Sequence, residues 1–65
     1  MDQTALIELI ETRFREVDPA NLRYVTRELE RLVRQIEDPR TRVRYEGALD
    51  GLAEMVDHLD TGRGA

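Results

Sequence analysis

Residues 18–36 read DPANLRYVTRELERLVRQI. Within them Leu22, Val25, Leu29, Leu32 and Ile36 recur at intervals of three, four, three and four. At about 100° per residue they fall on one narrow stripe of a helix. Of the residues between them, only Tyr24 and Val33 are not polar. Asp18-Pro19 marks the start: aspartate suits a cap, proline suits the first helical position, and the residue before proline is pushed out of the α region. The spacing predicts a helix over 19–37.

The same device returns at Asp38-Pro39, twenty residues on. At that offset Val25, Leu29, Leu32 and Ile36 match Tyr45, Leu49, Leu52 and Val56, a correspondence that either duplication or the shared demands of helix construction produces. A helix is predicted over 39–60, with a seam of Tyr45, Leu49, Leu52, Val56 and Leu59 supported by Ala48 and Met55. Gly62 stands just past its end, where a left-handed residue is easily made. Toward the amino terminus, Asp2 or Thr4 can cap a helix over 3–17. Its apolar residues Leu6, Ile7, Leu9, Ile10, Phe14 and Val17 cover an arc of roughly 160°, wide enough for two neighbours. Arg13 interrupts that arc. It either snorkels past Val17 and Leu6 to water or pairs with an acid on another helix.

No segment alternates with period two for long enough to make a strand. Connections this short make sequential helices antiparallel neighbours, so the fold class is all-α, a three-helix antiparallel bundle in one domain, 1–61, with a flexible tail, 62–65. At 65 residues the core is small, and self-association would bury more of the same surface. An intertwined homodimer, in which the first helix crosses to a second subunit, and a side-by-side homodimer both satisfy the pattern.

Composition narrows the function. With no cysteine in the chain, disulfides and thiolate metal sites are excluded. No apolar run approaches the ~20 residues a bilayer span needs, and the acidic start at Asp2 is not a secretory signal, so a cytoplasmic protein is expected. The net charge is −4 and unevenly spread: residues 18–45 carry seven arginines and five acids, residues 46–65 one arginine and five acids.

Enzymatic signals are weak. Asp50, Glu54 and the single histidine, His58, share a helix face, but metal sites want more histidine or carboxylates converging from several helices. Thr4, Thr12 and Thr26 have no histidine nearby in sequence and no strained turn, and no Gly-rich phosphate loop is present. No catalytic residue, metal or cofactor is predicted.

Arginine and glycine carry the stronger signals. Arg23, Arg27, Arg31 and Arg34 lie opposite the seam of residues 19–37, and three helical pairs offer neutralisation: Glu30 with Arg34, Glu28 with Arg31, Arg42 with Glu46. Arg40 and Arg44 are different. They are like charges at i,i+4 near a helix N-terminus, where positive charge is unfavourable by about 0.3–1 kcal/mol. Glu37 or Asp38, a partner's carboxylate or a nucleic-acid phosphate would relieve them. Gly47 and Gly51 lie four apart on the same face, each destabilising the helix by about 1 kcal/mol relative to alanine. They imply either a break near Gly47 or an outward face closely approached by another chain.

The expected function is a small non-enzymatic helical protein–protein interaction module: an adaptor, regulator or assembly component. Arg40, Val43, Arg44, Gly47, Gly51 and Tyr24 are its candidate contacts, with another protein or a second copy as partner. The alternative is a nucleic-acid-associated regulator holding phosphates through Arg31, Arg34, Arg40, Arg42 and Arg44. Its short basic run and scarcity of aromatics count against it.

Overall fold

Three aspartates, Asp2, Asp18 and Asp38, set the element boundaries. The computed structural model describes the backbone of residues 2–64 and the side chains of residues 2–60. Among these residues there are three helices and no strand: α1 (Gln3–Glu16), α2 (Leu22–Val33) and α3 (Pro39–Gly64). The Asp2 carboxylate accepts from the Ala5 amide at 3.4 Å and caps α1. Asp38 caps α3 more fully, accepting from the Thr41 amide at 3.0 Å and the Thr41 hydroxyl at 2.6 Å. Those two bonds to Thr41, hydroxyl first, hold the Asp38 carboxyl below the usual aspartate range.

Asp18 behaves differently, and the helix predicted over 19–37 is shorter at both ends. Asp18 Oδ1 accepts from the amides of Ala20 and Asn21 at 2.7 and 3.0 Å, while the Asn21 amide also bonds the Asp18 carbonyl. The Asn21 side chain then turns back, accepting from the Asp18 amide and donating to the Glu16 carbonyl. This local network competes with α-helix, so Pro19 opens a turn and α2 begins only at Leu22. At the other end the Gln35 and Ile36 amides bond the carbonyls of Leu32 and Val33. That tightening to a three-residue period ends α2 at Val33 and still turns Ile36 into the core. α1 likewise stops at Glu16 because Val17 is already extended.

α2 lies between the other two helices, packing against both. The core joins Leu6 and Ile10 of α1, Val25, Leu29 and Val33 of α2, Ile36 of the following loop, and Leu49 of α3. Val33, outside the seam the spacing defines, is fully buried, whereas Leu32 of that seam is only partly covered. α1 meets α3 at Tyr45: its ring stacks on Phe14 with centroids 6.1 Å apart, and its hydroxyl donates to Glu11 at 2.9 Å. The second neighbour that the wide arc of α1 requires is therefore engaged through Tyr45. Arg13 takes the paired alternative, meeting Glu28 of α2 at 2.5 Å and Glu16 at 2.9 Å. Glu28 is the main reason the guanidinium holds its proton more tightly than usual.

At 1.5 Å per residue the 26 residues of α3 span about 39 Å, against roughly 21 and 18 Å for α1 and α2. The molecule is accordingly elongated, 43 Å along its long axis, with a Cα radius of gyration of 12.6 Å where about 11 Å fits a compact chain of this length. The α3 backbone runs on through Gly62, past the predicted end at residue 60; the tail predicted over 62–65 lies outside the fully described residues. None of the described helices is long and apolar enough to cross a membrane.

Candidate functional site

α3 passes through Gly47 and Gly51 without a break, and neither glycine has a positive φ. The break near Gly47 is thereby replaced by a continuous outward face. At about 100° per residue, Arg40, Gly47, Gly51 and His58 stand opposite Leu49, with Val43, Arg44 and Glu54 on the flanks. All seven are exposed, and Val43 leaves 64% of its surface open, far more than an apolar residue with an internal contact. A Cβ added at Gly47 or Gly51 would meet nothing within 4 Å. No contact among the described residues therefore requires either glycine.

The charges around this face are not those the helical spacing predicts. Among the described residues the ion pairs are Arg13 with Glu16 and Glu28, and Arg23 with Asp60. Neither Arg40 nor Arg44 has a carboxylate of a described residue within 4 Å. Glu37 and Asp38, the acids expected to neutralise them, do not: the Glu37 amide is tied to Gln3 of α1, and the Asp38 carboxylate is taken by Thr41. The predicted pairs Glu28–Arg31, Glu30–Arg34 and Arg42–Glu46 are also absent. Glu28 faces α1 and takes Arg13, while Arg42 folds back to donate to the Ile36 carbonyl at 3.2 Å.

The remaining candidates lie elsewhere. Tyr24 is 71% exposed and lines a shallow cleft on α2 with Arg27, Glu28, Arg31, Leu32 and Gln35. Its neighbour Arg23 pairs with Asp60, about 30 Å along α3 from Arg40, so the fold does not bring Tyr24 to Arg40, Val43 and Arg44. Arg34 lines a different cleft, with the acids Glu30, Glu46 and Asp50. The five arginines of the phosphate-binding alternative are thus dispersed: Arg31 on one flank of α2, Arg34 among carboxylates on the other, Arg42 occupied by a carbonyl, and Arg40 and Arg44 on α3. Among the described residues no three His, Asp or Glu side chains converge to hold a cation, and the Thr26 hydroxyl is buried.

One feature escapes the sequence reading. Where α1 stops and α3 continues, Val17, Pro19, Leu22, Met55 and Leu59 line an apolar cleft of about 380 Å³ with Asp18 and His58 at its edge. Leu59, predicted to end the seam, and Met55, predicted to support it, are 45% and 53% exposed as a result. The signal was the mismatch in helix length, since an α1 ending near Val17 cannot cover the last turns of α3. Compared with protein-family models, curated proteins and solved structures, the chain shows no match to any.

Proposed function

We propose that this chain is a non-enzymatic helical interaction module, an adaptor, regulator or assembly component, in which three antiparallel helices present the outward face of α3 to another protein. The observation that carries this reading is the combination on one unbroken helix of an exposed Val43, two cations without an ion-pair partner among the described residues and two glycines that no contact among those residues requires. Each glycine destabilises the isolated helix by about 1 kcal/mol, and close approach by a second surface supplies the compensating contact. The dispersal of the arginines over several surfaces supports this reading over phosphate binding.

Two measurements test the proposal together. A photo-reactive side chain placed at Val43 in cells should yield protein adducts, whereas the same group at Glu8 on the exposed side of α1 should not. Binding of mixed-sequence duplex DNA and single-stranded RNA at low salt should be undetectable. Tight nucleic-acid binding that is lost in the Arg40→Glu/Arg44→Glu variant, with no protein adduct at Val43, overturns the reading.

A further inference from the structure

The exposed surface of α3 is complementary to itself. Counting from residue 49, Arg44 and Glu54 stand five residues to either side, Val43 and Met55 six, and Gly47 and Gly51 two. Laid antiparallel on a two-fold axis level with Leu49, two copies of the helix therefore set Arg44 of each against Glu54 of the other. Arg40 comes within reach of Asp57, Val43 and Met55 lie at the same level, and the glycines meet at the crossing. Arg44 and Glu54 lie on opposite flanks of the outward face, about 40° from its centre. At the close interaxial distance of roughly 8 Å that glycines permit, their Cβ atoms are roughly 5 Å apart, a separation these side chains bridge.

Charge selects the orientation. From Pro39 to Arg44 the helix carries three arginines and no acid; from Glu46 to Asp60 it carries five acids and no arginine. Antiparallel pairing sets Arg44 against Glu54 and Arg40 against His58 with Asp57 beside it, whereas in-register parallel pairing puts like on like. The antiparallel arrangement also relieves Arg40 and Arg44 of their unfavourable place at a helix N-terminus by bringing acids from the other copy.

We infer that the partner of the α3 face is a second copy of this chain, paired antiparallel through Arg44 and Glu54 with Val43 and Met55 on the flanks. This rests on the interaction-module reading and specifies its partner. The test is sedimentation velocity from about 1 to 500 μM at low and high salt, a range that resolves micromolar dissociation constants, with folding of each variant checked by circular dichroism. Wild type should dimerise, more weakly at high salt. Arg44→Glu and Glu54→Arg should each weaken the dimer at least about tenfold, since two symmetry-related pairs become repulsive, and the doubly substituted chain should regain it. Gly47→Leu, whose Cβ would meet nothing within 4 Å, should stay folded and remain monomeric. A wild type monomeric throughout, a double variant that stays dissociated, or a Gly47→Leu dimer as tight as wild type overturns the pairing. Monomeric wild type with adducts of other proteins at Val43 leaves the interaction-module reading standing; nucleic-acid binding without adducts removes both.

Discussion

At the scale of single residues, the polar groups at the helix contacts decide which interactions form. Arg13 stands mid-way across the apolar arc of α1, and Glu28 on α2 gives it a cross-helix partner at 2.5 Å. From the sequence alone Glu28 has an equally good partner in Arg31; only the approach of α1 to that flank of α2 chooses between them. Thr26 is the opposite case: it is 4% exposed, and its hydroxyl has no hydrogen-bond partner. Burying an unpaired hydroxyl is destabilising by about 1–3 kcal/mol. Thr26→Val, which keeps the shape and removes the polar group, should raise the unfolding free energy by about 1 kcal/mol in a urea titration. Unchanged or lower stability would place a water or a backbone carbonyl on that hydroxyl.

At the scale of elements, caps and glycines set where helices begin and how firmly they hold. Two identical Asp-Pro pairs produce different starts because of the residue three positions on. Thr41 gives Asp38 both an amide and a hydroxyl to bind, whereas Asn21 uses its own side chain to rebuild a turn. The lowered Asp38 pKa fixes a sign: a carboxyl depressed in the folded state contributes stability that is present above its unfolded pKa of about 3.9 and lost as pH falls through the folded value. Thermal stability should therefore fall on acidification below about pH 4, and Thr41→Val should flatten that part of the profile; an identical slope in the variant would assign the effect to other carboxylates. Gly47 and Gly51 make the complementary prediction. With open space around both Cβ positions, Gly47→Ala and Gly51→Ala should each stabilise the dilute chain by about 0.5–1 kcal/mol, read from chemical denaturation at low micromolar concentration. A loss of stability would reveal an internal contact at that face.

At the scale of the whole molecule, one small core carries the fold. Leu29 is fully buried at its centre, and its truncation to alanine should remove about 2–5 kcal/mol. A chain this short commands only about 3–10 kcal/mol in total, so Leu29→Ala should be largely unfolded at room temperature by circular dichroism. A cooperative transition near the wild-type midpoint would mean that another interface shares the load. α3 continues beyond this core, and burial of its seam declines from Leu49 through Leu52 and Val56 to the exposed Leu59.

By itself the sequence determined that the chain is helical, that it has three helices, which residues form most of the core, and that Gly47 and Gly51 share a face with Arg40 and Arg44. These follow from local chemistry, since periodicity, caps and propensity act within a few residues. Only the tertiary structure decided that Asn21 would delay α2, that Val33 rather than Leu32 would be enclosed, that Glu28 would meet Arg13, and that Tyr24 would stand far from Arg40. Each depends on which helix lies against which flank and how far each extends. Those are properties of unequal cylinders packed around α2, not of any stretch of sequence read alone.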